Sequence, residues 1–269
     1  MVLFQIASDL HIEVLKDIPD TSDFIVPTAE ILILAGDVGR ITKFDQFKTF
    51  MKNLCSKFKT VIYVLGNHEY YKVESYPEKT MGEILEMLEI VKNENPNLYV
   101  LNKSSLLIGD VCIAGCTLWS KCNVQIPPYM LKIPFMNTFK YNQMFREDYN
   151  YINRMIKYCQ TKNYKLLVVT HYCPSYNLLG RGIDPLNRGI DPQNRGFDPL
   201  NRGLDRYSCL YASHLDHLLS KEKVHTWVFG HSHQNHDYIT PTGTRVVSNQ
   251  RGKSRQEAHN FIKTKVIEV

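Results

Sequence analysis

A chain of 269 residues is long enough for one large α/β domain with a sizeable core, whereas two domains of equal size would fit poorly. No apolar run approaches the roughly 20 residues that a membrane-spanning helix needs, and the formal net charge of +5 is spread along the chain without a concentrated basic cluster. We therefore expect residues 1–269 to form a single soluble, cytoplasmic domain whose partners include neither a membrane nor nucleic acid.

The seven cysteines predict a reducing compartment. The sequence has no C-x-x-C pair, so the spacing of a zinc finger is missing. Cys112 and Cys116 lie within apolar runs, where a free thiol behaves as a small hydrophobic side chain. Free thiols in this number are typical of intracellular proteins.

Apolar runs alternate with amphipathic stretches along the chain. The first predicted elements are strands over 3–8, 31–35 and 61–65 and helices over 43–57 and 81–91. This alternation predicts parallel strands with right-handed crossovers. The next are short strands over 98–101, 104–108 and 111–117, a surface loop over 120–138 and a helix over 141–159. The last are a strand over 165–170, a helix over 207–220, a strand over 224–229 and antiparallel strands over 236–269.

Residues 181–205 contain a tandem repeat of seven residues. The pattern R-G-[IF]-D-P-[LQ]-N occurs three times, and a fourth copy stops at Asp205. A glycine and a proline in every copy exclude a coiled coil despite the heptad period, and the Asp-Pro and Asn-Arg-Gly steps favour turns. We expect a loop inserted in the domain. A function as a lid stays open, because the repeats begin ten residues after His171.

Polar side chains of the kind that bind metals follow five of the predicted strands. They are Asp9 and His11, Asp37, Asn67 with His68, His171, and His231 with His233. Ligands of open α/β sheets bind outside the carboxyl ends of the strands, so we expect these groups to meet there. In an extended segment residues i and i+2 point the same way, so Asp9 and His11 can reach one ion together. Carboxylate, imidazole and amide groups without a thiolate suit Mn²⁺, Fe²⁺ or Zn²⁺.

The ordered series of motifs resembles the calcineurin-like metallophosphoesterases. The motifs are D-x-H at 9–11, G-D at 36–37, G-N-H-E at 66–69, His171 and G-H-S-H at 230–233. The stretches 8–13, 117–119 and 243–252 resemble a soluble branch of that family. The resemblance implies a four-layer α/β/β/α sandwich, with helices outside two facing mixed sheets. The elements alone predict only an α/β fold with a mixed sheet.

The same resemblance implies two divalent metal ions. One is expected to bind Asp9, His11, Asp37 and His233, and the other Asp37, Asn67, His171 and His231. Asp37 then bridges the ions, since a carboxylate can offer one oxygen to each. Two ions ~3.5–4 Å apart can hold a shared hydroxide and clamp the phosphate oxygens. We therefore expect direct hydrolysis without a phosphoenzyme, with Mn²⁺ as the first choice of metal and Fe, Zn or Mg as alternatives.

By resemblance, His68 is catalytic and is not a ligand. It is expected to stabilise the equatorial oxygens of the phosphoryl group or to protonate the leaving alkoxide, a role typically worth ~10²–10⁴-fold in rate. Protein phosphatases of this superfamily carry G-D-x-x-D-R-G, whose second aspartate orients the catalytic histidine. Arg40 stands at that position here, so the sequence leaves open which residue orients His68.

The expected substrate is a small phosphodiester, a nucleotide or another phosphomonoester. Tyr70 and Arg251 are candidates for binding it, and Tyr71 beside Tyr70 is a further one. Two alternatives stay open. One is a non-catalytic scaffold with this fold, as in a retromer subunit that lacks the catalytic histidine, which this chain has. The other is a nuclease of the same superfamily, which would need a groove rich in Lys and Arg.

Overall fold

The computed structural model describes residues 1–179, 208–254 and 260–269. The predicted repeats at 181–205 lie outside these residues. The strands are β1 (Leu3–Ala7), β2 (Ile31–Ala35), β3 (Thr60–Val64), β4 (Leu98–Val100), β5 (Ser104–Ile108), β6 (Val111–Cys116), β7 (Lys165–Thr170), β8 (Thr226–Val228), β9 (Asp237–Ile239), β10 (Arg245–Val247) and β11 (Val266–Glu268). The helices are α1 (Phe44–Cys55), α2 (Met81–Asn93), α3 (Pro128–Leu131) and α4 (Thr138–Lys162).

The strands form two mixed sheets. The first has the order β11-β1-β2-β3-β4, in which only β11 is antiparallel to its neighbour. The second has the order β5-β6-β7-β8-β10-β9, in which the four central strands are parallel and both edge strands are antiparallel. The parallel strands therefore present their carboxyl ends on one edge of each sheet.

Alternate residues of the central strands pack into two separate hydrophobic clusters, because successive side chains of a strand point to opposite faces. In β2, Ile33 and Ala35 join a cluster with Val169 and Val228 of the second sheet, so this cluster fills the space between the sheets. Leu32 and Leu34 join the other cluster, which contains the apolar faces of α1, α2 and α4. The result is the four-layer α/β/β/α sandwich, and the predicted fold is confirmed.

The helices α2 and α4 begin at residues whose side chains cap the free backbone N–H groups. The side chains of Thr80 and Glu83 form a capping box at the start of α2, where each accepts the other's backbone N–H. The side chain of Asn137 caps the start of α4, and Asn163 ends it in a left-handed conformation. The predicted helices over 43–57, 81–91 and 141–159 are confirmed within a few residues.

The predicted helix over 207–220 is wrong. The described part, from residue 208, contains two single 3-10 turns, Ser208–Leu210 and Asp216–Leu218. Between them the backbone runs beside residues 173 and 174, where Ser213 N–H donates to the Cys173 carbonyl and Leu215 N–H to the Pro174 carbonyl. These tertiary hydrogen bonds replace the ones that a helix would have made.

The segment over 120–138 is more than a surface loop. Cys122, Ile126, Leu131 and Ile133 are buried, and α3 lies within it. Cys122 also forms a disulfide with Cys209, whereas the expectation was free thiols throughout; the other five cysteines are free and buried.

Within the residues described, no helix combines the length and the apolar character that crossing a bilayer demands.

Candidate metal centre

The predicted site residues converge where the two sheets meet at their carboxyl ends. β1, β2 and β3 are neighbours in the first sheet and lead into Asp9, Asp37 and Asn67. β7 and β8 are neighbours in the second sheet and lead into His171 and His231. Since each side chain follows a strand whose position in a sheet is fixed by its neighbours, residues far apart in sequence are brought to one place.

Three side chains form a first group of metal-ligand atoms. Asp9, His11 and His233 place one ligand atom each within 4.8 Å of one another. His233 Nε2 lies 3.4 Å from Asp9 Oδ1 and 3.0 Å from His11 Nε2. His11 Nε2 also lies 3.8 Å from Asp37 Oδ2. The structure thus brings together the four side chains predicted for one ion.

A second group lies on the other side of Asp37. His171 Nε2 is 3.3 Å from Asp37 Oδ1 and 2.9 Å from Asn67 Oδ1. His231 Nδ1 lies 3.2 Å from the same His171 nitrogen. Asp37 therefore directs one carboxylate oxygen to each group, which is the geometry of a bridging ligand.

Several ligand side chains make a hydrogen bond on the side that faces away from the centre, which orients their other nitrogen or oxygen atom toward the centre. His171 Nδ1 donates to the Ala35 carbonyl at 2.9 Å, and His231 Nε2 donates to the Leu210 carbonyl at 2.9 Å. The Asn67 amide Nδ2 donates to the Tyr71 hydroxyl at 2.6 Å. Each neutral ring then keeps a lone pair on its inner nitrogen, and Asn67 turns its oxygen inward. Such outer partners are how proteins orient metal ligands.

The donor set fits divalent cations. Lone pairs of imidazole, amide and carboxylate that face one another at about 3 Å repel unless a positive charge lies between them. Although burial would lower it, the carboxylates of Asp37 and Asp9 raise the pKa of His171 to about 9. Burial and the neighbouring His171 lower the pKa of His231 to about 3. The carboxylates thus attract positive charge to the centre, whereas His231 stays neutral and keeps the lone pair of its inner nitrogen. These nitrogen and oxygen ligands suit transition-metal ions.

The segment that holds Asp9 and His11 is not extended, contrary to the sequence prediction. Their φ angles are 53° and 48°, in the left-handed region. Backbone hydrogen bonds fix this conformation: Asp9 N–H donates to the Gly36 carbonyl and His11 N–H to the Asp37 carbonyl, both at 3.0 Å. The two side chains meet because the loop after β1 is tied to the loop after β2.

Glu69 connects the loop after β2 to the loop after β3 by hydrogen bonds and is not itself one of the proposed ligands. It is fully buried, and its carboxylate accepts the backbone N–H groups of Asp37, Val38 and Gly66. It also accepts the Tyr63 hydroxyl at 2.6 Å. Four donors on one carboxylate hold the loops after β2 and β3 in register, so Glu69 of the G-N-H-E motif supports the position of Asp37.

His68 lies at the edge of the centre with one ring nitrogen turned inward. Its Nε2 is 4.0 Å from Asp37 Oδ2, and its Nδ1 is 2.8 Å from Glu13 Oε1. Burial would raise the pKa of Glu13, but its hydrogen bonds to His11 and His68 lower it to about 2. No role for Glu13 was predicted; its place two residues after His11, in the stretch 8–13, was the available signal.

The two expected substrate contacts, Tyr70 and Arg251, pack against neighbouring aromatic side chains. Tyr70 is 4% exposed and packs in the core, with its ring 6.1 Å from that of Trp119. Arg251 places its guanidinium over the Phe24 ring and donates to the Leu10 carbonyl at 2.9 Å. Substrate binding by Tyr70 or Arg251 stays a prediction.

Two other tyrosines lie beside the centre. The Tyr71 ring is 4.4 Å from that of His68, and the Tyr211 ring is 5.5 Å from that of His231. Tyr211 is 48% exposed. His231 and His233 are partly exposed, so solvent reaches the centre beside these two ligands.

Comparisons with known proteins show what this chain is similar to. The sequence profile of the family named calcineurin-like phosphoesterase matches residues 4–235. Uncharacterized protein L509 of Acanthamoeba polyphaga mimivirus is 27% identical, over 97% of this chain and 94% of that one. The phosphopantetheinyl hydrolase of Mycobacterium tuberculosis superposes with a TM-score of 0.71 at 17% identity, over 99% of this chain and 95% of that one. A dimetal phosphatase from Danio rerio gives 0.51 at 12% identity, over 92% and 86%. At these identities the two solved structures show a shared fold.

Proposed function

The chain belongs to the calcineurin-like phosphoesterases, which are metal-dependent hydrolases of phosphoric esters, and we propose that it hydrolyses a small phosphodiester, a nucleotide or another phosphomonoester. The observation that supports this most strongly is the pair of ligand groups on either side of Asp37. The inward lone pairs, the position of Asp37 between the groups and the partial exposure of His231 and His233 together suit a centre that binds two cations and admits a phosphoryl group.

In this proposal the side chains divide between two cations. Asp9, His11, His233 and Asp37 Oδ2 would hold one, and Asn67, His171, His231 and Asp37 Oδ1 the other. When bound, the two cations supply positive charge for the phosphate oxygens and activate the water that attacks phosphorus, so no protein nucleophile is needed. Mn²⁺ is the first choice for this oxygen and nitrogen set, with Fe, Zn or Mg as alternatives.

His68 acts on the substrate in this proposal. Because Nδ1 is engaged with Glu13, Nε2 is the nitrogen that faces the centre. Since Nδ1–H donates to Glu13, the protonated ring carries a second proton on Nε2, and this proton can stabilise the phosphate oxygens or pass to the leaving oxygen. The Tyr71 ring against the His68 ring limits its rotation.

The test is hydrolysis of bis(p-nitrophenyl) phosphate and p-nitrophenyl phosphate after removal of metals and reconstitution with single divalent ions. We expect turnover with Mn²⁺ and none with chelator. Absence of turnover with every ion tested, or capture of a covalent phospho-residue during turnover, would contradict the proposal.

Replacement of His68 separates its role from metal binding. We expect His68→Ala to lower kcat by ~10²–10⁴-fold, the usual contribution of a general acid or base, while the metal content measured by mass spectrometry stays normal. His217→Ala is the matched control, since His217 is exposed and hydrogen-bonds Tyr149 at 3.3 Å, away from the centre. Equal activity of the two variants would contradict the role given to His68.

A further inference from the structure

Arg40 leaves the usual orienting position without a carboxylate. Its Nη1 donates to the Lys72 carbonyl at 3.2 Å, so the side chain is directed to the loop after His68 and not to the His68 ring. A histidine that transfers a proton needs a partner on its outer nitrogen to fix which nitrogen carries the proton. The partner of His68 must therefore come from another part of the chain.

Glu13 occupies that place. Its Oε1 lies 2.8 Å from His68 Nδ1 and 3.1 Å from His11 Nδ1, so a single carboxylate oxygen accepts from both rings. The side chain is 3% exposed. Its other oxygen, Oε2, has no hydrogen-bond partner among the described residues, so the hydrogen bonding of this carboxylate is directed at the two histidines.

The two rings extend from Glu13 toward the same point. Their centroids are 4.5 Å apart at an angle of 72°. The inner nitrogens, His11 Nε2 and His68 Nε2, lie 3.8 Å and 4.0 Å from Asp37 Oδ2. Glu13 thus accepts from the outer nitrogens of both rings, and the inner nitrogens both face Asp37. One ring belongs to a proposed metal ligand and the other to the proposed catalytic residue.

The backbone around Glu13 is fixed independently of the histidines. Glu13 lies in the 3-10 turn Ile12–Val14, which begins after the left-handed His11. Ile12 N–H donates to the Val38 carbonyl at 3.0 Å, and Lys43 Nζ donates to the Glu13 carbonyl at 2.8 Å. The turn that contains Glu13 is therefore fixed by its own hydrogen bonds, so its carboxylate can orient the rings of His11 and His68.

We propose that Glu13 is the positioning residue for His68, and that by sharing one oxygen between His68 and His11 it couples the catalytic histidine to a metal ligand. The proposal rests on the proposed function, since it assigns the support of that reaction. It answers which residue replaces the aspartate that is absent at position 40. It also predicts that the loss of Glu13 affects proton transfer and not only metal binding.

The test uses the full chain with saturating metal ion and a series of aryl and alkyl phosphodiesters whose leaving groups differ in pKa. Glu13→Ala should lower kcat about 10–100-fold, as loss of an outer hydrogen-bond partner usually does, and more for poor leaving groups than for good ones. In the His68→Ala background the same change should have less than about a threefold effect, because the positioned ring is gone.

Two further variants keep the result interpretable. Glu13→Gln retains an oxygen that can accept from both Nδ1–H groups, so it should recover most of the activity lost in Glu13→Ala. Glu86→Gln is the control, since Glu86 is exposed on α2. Additive effects of the Glu13 and His68 replacements, or an equal loss for all leaving groups, would show a merely structural role and overturn the proposal.

A measurement without turnover completes the test. ¹⁵N spectra of the Zn²⁺-loaded protein report which ring nitrogen of neutral His68 carries the proton. We expect Nδ1 in the wild type and in Glu13→Gln, and a change of tautomer in Glu13→Ala. An unchanged tautomer in Glu13→Ala would overturn the assignment. If the wild type were inactive with every ion, the proposed function would fail while this measurement would still decide the role of Glu13.

Discussion

Five of the proposed metal ligands share an uncommon backbone conformation. Asp9, His11, Asp37, His231 and His233 all have positive φ angles, between 48° and 71°. The described residues include ten non-glycine residues of this kind, so half of them belong to the candidate centre. Each such residue costs on the order of 1 kcal/mol or more, and strain of this kind gathers where function requires a fixed orientation. The concentration at one centre is an independent sign that these side chains are placed for binding.

Asp148 gives a test of the electrostatics away from the centre. Its side chain is 2% exposed, lies 3.7 Å from Lys103 Nζ, and accepts the Trp119 N–H at 3.3 Å. Burial raises its pKa to about 6, although Lys103 opposes this. An unfolded chain releases the same proton near pH 4.

Because the folded protein holds this proton longer, Asp148 stabilises the fold fully below about pH 4, and this contribution is lost as the pH rises to about 6. The loss amounts to about 2–3 kcal/mol. Asp148→Asn removes the titration, so its free energy of unfolding relative to wild type should rise by that amount over the same range. Urea unfolding of both proteins in chelator measures it. A difference that does not change with pH would contradict the burial assigned to Asp148.

At the residue scale, the sequence identified side chains that carry a short motif at a strand end. The structure brings all seven predicted ligands and His68 together. Glu13 was missed because its contact with His68 depends on the turn after His11, which a sequence pattern does not reveal. Tyr70 ends the 3-10 turn His68–Tyr70 and packs in the core, whereas Tyr71 follows the turn and lies against the His68 ring.

At the element scale, the strand ends must approach one another closely, and Gly66 after β3 permits this. A Cβ at position 66 would lie 2.2 Å from Asp37 Oδ1 and 2.8 Å from His171 Cε1. Gly66→Ala should therefore displace Asp37 and lower the metal content and activity together, while the circular dichroism spectrum stays that of the folded protein.

Gly82→Ala is the control for this change. A Cβ at position 82 on α2 would meet only Thr80 Oγ1, at 3.8 Å. The control should keep normal metal content and gain up to ~1 kcal/mol of stability, because alanine favours a helix over glycine. Normal metal content in Gly66→Ala would contradict the close approach of the loops after β2 and β3.

The elements that could be predicted are those whose signals are local. Apolar runs gave the buried strands, and helices with caps such as Thr80 and Asn137 were found within a few residues. The helix predicted over 207–220 was wrong because the conformation of that segment depends on tertiary contacts, namely backbone hydrogen bonds to Cys173 and Pro174. The disulfide between Cys122 and Cys209 joins residues 87 positions apart, so no local sequence pattern predicts it.

At the scale of the whole molecule, the centre belongs to both sheets. Asp9, Asp37 and Asn67 follow strands of the first sheet, and His171 and His231 follow strands of the second. β1 and β11, from opposite ends of the chain, are neighbours in one sheet. On this basis we propose that residues 1–269 form a single domain. Each sheet supplies only some of the proposed ligands, so each motif in the sequence contains only part of the centre. For this reason no single motif was specific for a metal centre.

In the proposed centre two cations bind side by side with Asp37 between them. The most direct measurement is a crystal structure of the protein loaded with Mn²⁺, with the ions located by their anomalous scattering. We expect two peaks ~3.5–4 Å apart, one against His11 and His233, the other against Asn67 and His171, and both in contact with Asp37. A single peak, or a pair of peaks that does not share Asp37, would contradict the account.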